Sequence, residues 1–216
     1  MFPAVFDVPM GEVLGGRVGE VIVVRHGATE WSRNGRHTGV TDLPLLPDGE
    51  EDGRRLRGVL AELDIAHVFI SPRLRARRTA ELAGLMDGAV DHRIDPDLVE
   101  VDYGGYEGRT TPEISAELGR PWSLWTDGTV PGDTPGETLG QVAERVDRVL
   151  DRARPLLADG DVALFAHGHV LRILTARWLG LDPECGALFP LETGRYGVLG
   201  FERERQALRG WNAACP

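Results

Sequence analysis

The chain has 216 residues, and its content of 42% hydrophobic and 27% charged residues is typical of a folded globular protein rather than a disordered one. A net charge of −10 disfavours nucleic-acid and anionic membrane partners, because both need a broad basic face. No apolar run approaches the roughly 20 residues that span a bilayer, so we expect no membrane span and a cytoplasmic protein.

Strand and helix signals alternate along the chain. In the first half we predict, in order, the strand Val21–Val24, the helix Leu46–Leu63, the strand Ala66–Ile70, the helix Pro72–Met86 and the strand Val90–Ile94. The second half continues with a helix that begins at Thr111, the helix Glu137–Leu157, the strand Val162–Ala166, the helix Val170–Leu179 and a hairpin of Tyr196–Phe201 with Gln206–Trp211. This alternation favours one α/β domain over residues 1–216 with a mostly parallel sheet, and residues 1–19 form an extension before the first strand.

Two residue types limit the chemistry. Cys185 and Cys215 are too few for a disulfide framework and lack metal-ligand spacing, so we expect two reduced thiols. All 24 basic residues are arginine, and the absence of lysine excludes Schiff-base, pyridoxal phosphate and Walker-type phosphate sites. Arginine offers a planar fork of donors that suits phosphate and carboxylate groups. An anionic ligand must therefore be bound locally, by arginine.

Chemically active side chains follow three of the predicted strands. Arg25-His26-Gly27 follows the first of these strands, Ser71-Pro72 and then Arg75 follow the second, and His167-Gly168-His169 follows the third. In open α/β sheets, ligands bind beyond the carboxyl ends of the strands, where helix N-termini present free N–H groups. Two histidines and two arginines at these ends predict an anion-binding site.

A phosphomonoester fits this set of groups. A neutral imidazole can attack phosphorus when fixed cations neutralise the non-bridging oxygens, and the leaving alkoxide then needs a proton. The carboxylic candidates for the proton donor lie in the segment LVEVDYGGYEG, residues 98–108. A metal-binding module built on His26, His167 and His169 is the competing interpretation, but no acidic or thiolate partner stands at ligand spacing.

Five sequence blocks, taken in order, resemble a known family. They are VVRHGATEW, GRHTGVTDLPL, SPRLRARRTA, LVEVDYGGYEG and FAHGHVLR. From about Val21 to Leu181 the chain resembles the phosphoglycerate mutase-like branch of the histidine phosphatase superfamily. The resemblance implies a three-layer αβα sandwich and a phosphohistidine intermediate formed without a metal or other cofactor.

The resemblance also implies roles for five residues. His26 matches the nucleophile, and Arg25 and Arg75 match the two phosphate-binding arginines. His167 matches the second histidine of the phosphate pocket. Glu100 matches the proton donor, which must start protonated, so we expect activity to fall as the pH rises above its titration.

One position departs from the commonest pattern of the family. Many relatives have Asn six residues after the nucleophile, where this chain has Ser32, and the EWS variant occurs among sugar-bisphosphatase-like and acid-phosphatase-like members. We also expect free backbone N–H groups beyond His167 to donate to the phosphate. The expected substrate-binding residues are Ser32, His37, Thr38, Gly39, Tyr103, Gly168 and His169.

Hydrolysis is favoured over phosphoryl transfer between two positions of a substrate. A mutase must shield its phosphohistidine from water, and such relatives use a longer, more basic insert after the glutamate block. Between Thr110 and Gly136, Arg120 is the only basic residue of this chain. We therefore expect a phosphatase that acts on a small phosphorylated metabolite, such as a sugar phosphate, with mutase-type transfer as the alternative. A catalytically silent regulatory relative and a homodimer stay open.

Overall fold

The computed structural model describes residues 18–215, so the predicted extension falls outside the described residues as far as position 17. The helices are α1 (Glu30–Asn34), α2 (Pro47–Leu60), α3 (Leu74–Leu82), α4 (Thr111–Leu118), α5 (Leu124–Asp127), α6 (Leu139–Ala153) and α7 (Gly168–Trp178). The strands are β1 (Val21–Arg25), β2 (Ile65–Ile70), β3 (Asp91–Ile94), β4 (Asp161–Ala166), β5 (Tyr196–Glu202) and β6 (Arg205–Ala213). Short 3₁₀ turns lie at Pro96–Leu98, Arg154–Ala158 and Pro183–Leu188.

The six strands form one sheet in the order β3-β2-β4-β1-β5-β6. β1 to β4 pair in parallel, whereas β5 runs antiparallel to β1 and β6 antiparallel to β5. The register aligns the carboxyl ends of the three central strands, since Arg25 pairs with Ala166 and Ile70 with Phe165. The predicted mostly parallel sheet and the terminal hairpin are confirmed.

Helices cover both faces of the sheet and bury two separate groups of side chains. One face carries Val21, Val23, Val162 and Leu164 against apolar residues of α6 and α7. The other face carries Ile22, Val24, Val68 and Phe165 against α2 and α3. The continuous β-branched runs are therefore buried on both sides, as parallel strands usually are, and the three-layer αβα architecture is confirmed.

Some helix boundaries differ from prediction because particular side chains cap the helices. α4 is capped by Thr110 rather than Thr111, and Glu113 completes a capping box. α6 starts after Thr138, which caps it with Gln141, so the predicted helix began two residues too early. α7 begins at Gly168, two residues earlier than predicted, which brings its N-terminus directly to the end of β4.

Candidate active site

The two histidines that follow β1 and β4 meet at the carboxyl edge of the sheet. The rings of His26 and His167 lie 5.2 Å apart between centroids, and both residues are buried. The aligned strand ends bring them together, because Arg25 and Ala166 are register partners immediately before them. Ser71, the first residue after β2, joins the same cluster through a hydrogen bond to His167.

The ring of His26 is held in one tautomer. Its Nδ1 lies 2.7 Å from the carbonyl oxygen of Gly27, and a carbonyl only accepts, so Nδ1 is the donor. The Gly27 amide in turn donates to the hydroxyl of Thr79 at 3.1 Å. Burial, followed by the charges of Arg75 and Arg25, holds the pKa of His26 well below its ordinary value. The imidazole is therefore neutral at physiological pH, with its lone pair on Nε2, which is the state a nucleophile needs.

His167 is also neutral, and both of its ring nitrogens are engaged. Arg75 donates from Nε to Nδ1 of His167 at 3.1 Å, so the ring hydrogen lies on Nε2 and points to the Ser71 hydroxyl at 2.7 Å. Burial, then the charge of Arg75, lowers the pKa of His167 well below its usual range. The sequence placed Ser71 at a strand end, but nothing in its pattern indicated this contact.

The two predicted phosphate arginines differ in how they are held. Arg75 is fully buried and donates to the carbonyl oxygens of Thr41 and Thr38, each at 3.0 Å. Arg25 donates to the carbonyl of Leu191 at 2.5 Å, but its buried Nε has no hydrogen-bond partner within residues 18–215. A buried donor left unpaired costs about 1–3 kcal/mol, and this Nε lies beside Gly168 at the start of α7.

Glu100 lies against the N-terminus of α7. Its carboxylate accepts hydrogen bonds from the backbone N–H groups of His169 at 3.0 Å, Val170 at 2.9 Å and Val101 at 3.0 Å. Because α7 starts at Gly168, the amides of His169 and Val170 belong to its first turn and have no partner within the helix. Glu100 therefore occupies two of the amides that we expected to face a phosphate, those of His169 and Val170, and it caps the helix.

A cavity of about 160 Å³ opens beside these groups. Its lining residues are Arg25, His26, Ser32, Gly35, Arg36, His37, Thr38, Glu100, Tyr103 and His169. A larger cavity of about 660 Å³ shares Arg25 and Ser32 with it. His167 and Arg75 do not line the smaller cavity. The ring of His167 lies beside that of His26, which does line it, and Arg75 is hydrogen-bonded to His167. Within residues 18–215, no group of three or more His, Cys, Asp or Glu side chains is placed to hold a metal ion.

One wall of the smaller cavity is polar but uncharged. The hydroxyl of Tyr103 lies 2.6 Å from Nδ1 of His169. Burial raises the pKa of Tyr103 well above its ordinary value and lowers that of His169 well below, so the phenol donates and the imidazole accepts. His37 packs 4.8 Å from the Tyr103 ring, and burial lowers its pKa to about 4. This wall therefore presents uncharged polar groups to the cavity.

Two cavity residues have their side-chain hydroxyls engaged elsewhere. Ser32 donates from its hydroxyl to the carbonyl of Thr29 at 3.0 Å and accepts from the Thr29 amide at 2.8 Å, which forms a capping box on α1. Thr38 donates to the carbonyl of Arg36 at 3.1 Å. In this arrangement, neither hydroxyl has its hydrogen free for a phosphate oxygen.

The two predicted glycines, Gly39 and Gly168, do not line the smaller cavity, and both are closely packed. A Cβ at Gly39 would lie 2.2 Å from the carbonyl oxygen of Val101, so only glycine permits this approach. The Gly39 amide donates to the Glu107 carboxylate at 2.9 Å, and the Thr41 amide donates to it at the same distance. Gly168 packs against the guanidinium of Arg25. Glu107 lies in the segment 98–108 that holds the carboxylic candidates, but its contacts could not be predicted, because its partners lie more than sixty residues earlier in the chain.

Comparison with known proteins decides the family. The model of the histidine phosphatase superfamily (branch 1) matches residues 21–214. The chain belongs to the histidine phosphatase superfamily. It is 39% identical over 183 residues to a sedoheptulose 1,7-bisphosphatase of Saccharomyces cerevisiae, which covers 74% of this chain and 67% of that relative. It is 37% identical over 191 residues to an acid phosphatase of Mycobacterium tuberculosis, which covers 88% and 90% of the two chains.

Solved structures agree with this family. The structure of an open reading frame from Mycobacterium tuberculosis superposes with a TM-score of 0.83 and 34% identity, covering 93% of this chain and 100% of that one. The named phosphatases among the relatives of this histidine phosphatase support the predicted activity: the protein is a phosphatase. Among residues 18–215, none of the helices combines the length and apolar character needed to cross a membrane.

Proposed function

We propose that this histidine phosphatase hydrolyses small phosphomonoesters through a phosphohistidine formed on Nε2 of His26. The observation that carries the proposal is the fixed neutral tautomer of His26, whose Nδ1 donates to Gly27 at 2.7 Å. That hydrogen bond leaves the Nε2 lone pair available as the nucleophile, and the charges of Arg75 and Arg25 act on the same imidazole.

In the first step, the Nε2 lone pair attacks phosphorus, and the bond between phosphorus and the ester oxygen breaks. Arg25 and Arg75 balance the charge of the non-bridging oxygens. Glu100 transfers its proton to the departing oxygen, so the alcohol leaves neutral. The three backbone N–H groups around Glu100 then stabilise the carboxylate that remains.

In the second step, Glu100 acts as a base. It takes a proton from water while the water oxygen attacks phosphorus, and the bond between phosphorus and Nε2 of His26 breaks. The electron pair of that bond returns to the imidazole. Inorganic phosphate leaves, and Glu100 is protonated again for the next cycle.

We further propose a sugar phosphate, or a similar hydroxyl-bearing monoester, as the substrate class. The uncharged wall of Tyr103, His37 and His169 offers hydrogen-bonding groups to a polyol. A relative from Saccharomyces cerevisiae is named for a phosphorylated sugar. The net charge of −10 favours a small anion bound by local arginines over a polyanionic nucleic acid.

The test is a screen of sugar phosphates, phosphoglycerate and nucleoside monophosphates in the presence of a chelator, with kcat/KM measured for each. We expect phosphate release, fastest from sugar phosphates, and an acid-labile, alkali-stable phosphoenzyme. His26→Ala should form no phosphoenzyme and release no phosphate, whereas His92→Ala on the edge strand β3 should behave as the wild type. Wild-type turnover in His26→Ala would refute the nucleophile. Conversion of 3-phosphoglycerate to 2-phosphoglycerate faster than phosphate release would establish the mutase alternative.

A further inference from the structure

The segment that carries Glu100 is fastened on both sides by two residues outside the cavity. Arg145, in the middle of α6, donates from one guanidinium nitrogen to the carbonyl oxygens of Asp97 and Val99, each at 2.7 Å. Glu137 accepts from the amide of Asp102 at 2.9 Å. The backbone is therefore held one and three residues before Glu100, and two residues after it.

These two fastening residues form an ion pair in which Arg145 is buried and Glu137 is partly buried. Nε of Arg145 lies 2.9 Å from one oxygen of Glu137, and a second guanidinium nitrogen lies 3.0 Å from the other oxygen. Arg145 is 6% exposed. The two-point contact fixes the orientation of both groups, because the planar guanidinium and carboxylate match in only one arrangement. We refer to Glu137 and Arg145 as the clamp.

Other arginines of α6 reach the same segment from outside. Arg152 binds the carboxylates of Asp95 and Asp97, and Arg148 binds Asp97. Their side chains are 34% and 55% exposed, so water and salt screen these contacts. Within residues 18–215, the clamp supplies side-chain hydrogen bonds to the backbone of Val99 and Asp102, which flank Glu100.

We propose that Glu137 and Arg145 are positioning residues that aim the carboxyl group of Glu100 at the leaving oxygen. This inference rests on the proposed function, in which Glu100 is the proton donor. Neither clamp residue lines the cavity, so each acts through the backbone of Glu100. Displacement of a proton donor by about 1 Å can lower the rate on the order of 100-fold, so the clamp affects catalysis if it fixes the position of Glu100.

The test uses two leaving groups of different basicity. An alkoxide needs a proton to leave, whereas p-nitrophenolate leaves without one, so only the first depends on a well-aimed acid. For Glu137→Gln and Arg145→Lys, we expect kcat/KM on glycerol phosphate to fall about 10- to 100-fold. For the same variants, kcat/KM on p-nitrophenyl phosphate should fall by less than about threefold. The value of kcat/KM is used because it covers only the steps up to departure of the alcohol.

An ion pair that joins α6 to α7 supplies the control. Arg177 forms a two-point contact with Asp147 of α6 at 3.0 and 2.9 Å, but it does not touch the segment around Glu100. Arg177→Lys should leave the ratio of the two activities unchanged. If the single clamp variants fold poorly, Glu137→Met/Arg145→Met removes both charges together and so leaves neither charge unpaired, and it should show the same selective loss.

Glu100→Gln distinguishes failure of the proposed acid role of Glu100 from failure of the positioning role of the clamp. If it loses activity selectively on glycerol phosphate and the clamp variants do so too, the positioning role is supported. If Glu100→Gln is selective but the folded clamp variants lose both activities equally, or neither, the positioning role is refuted while the function stands. If Glu100→Gln shows no selectivity, its role as the acid fails, and the clamp proposal fails with it.

Discussion

A Cβ atom at position 168 would lie 3.1 Å from the central guanidinium carbon of Arg25. Gly168 is the first residue of α7, so the absence of its side chain lets Arg25 pack directly against the helix N-terminus. The glycine therefore sets where the guanidinium lies in the cavity. This steric relationship distinguishes Gly168 from glycines that a turn or a positive φ requires.

Gly168→Ala should displace Arg25 and weaken anion binding. Hydrogen bonds to charged groups contribute about 1.5–3 kcal/mol, so we expect kcat/KM and the affinity for inorganic phosphate to fall roughly 10- to 100-fold. Gly140→Ala is the matched control, because Gly140 lies in the first turn of α6 and its Cβ would meet only Thr138 at 3.8 Å. Wild-type phosphate inhibition in Gly168→Ala would contradict the argument.

Ser32→Ala distinguishes a ligand contact from a helix cap. The hydroxyl of Ser32 is engaged with Thr29 in the capping box of α1, so its removal should cost about 1 kcal/mol of stability and leave KM within about twofold. Denaturant titration and steady-state kinetics measure the two effects. A large rise in KM with unchanged stability would show instead that the serine binds phosphate, as the family pattern implies.

The sheet and the strand-end residues could be predicted because their signals are local. The run Val21–Val24 announces a buried strand, and Arg25 and His26 follow it directly in the chain. The contacts that hold the site are not local. Ser71 and His167 are separated by 96 residues, and Arg145 reaches Val99 across 46, so no spacing rule links them. Such pairs are fixed only when the sheet order and the helix packing are known.

The acid limb of the profile of kcat/KM against pH should lie at a lower pH than the ordinary pKa of histidine. His26 must be neutral to attack phosphorus, and its pKa is held well below 6.5 by burial and then by the charges of Arg75 and Arg25. The nucleophile therefore stays deprotonated as the pH falls through 6.5. We expect kcat/KM to show no loss from this group until the pH is lower still, and ¹⁵N NMR of the imidazole to follow the same titration. An NMR titration of His26 centred at or above 6.5 would refute this assignment.

The stability of the fold should fall as the pH decreases from 6.5. Burial lowers the pKa of all four imidazoles of the site, those of His26, His167 and His169 well below 6.5 and that of His37 to about 4. Below pH 6.5 the unfolded chain binds protons at these histidines while the folded chain does not, so protonation favours unfolding. Each such group contributes a slope of up to about 1.4 kcal/mol per pH unit, and the full stability is present above pH 6.5.

His37→Gln should remove the contribution of one histidine to the pH dependence of the free energy of unfolding. Denaturant unfolding measured between pH 6.5 and about 5, where most carboxylates are still ionised, isolates the histidine contribution from acid unfolding. We expect the free energy of unfolding of His37→Gln to depend less steeply on pH than that of the wild type, by up to about 1.4 kcal/mol per pH unit. Parallel pH dependences of the two proteins would mean that His37 accepts a proton in the folded state as readily as in the unfolded chain. That outcome would also contradict the neutral character assigned to the wall of the cavity formed with Tyr103 and His169.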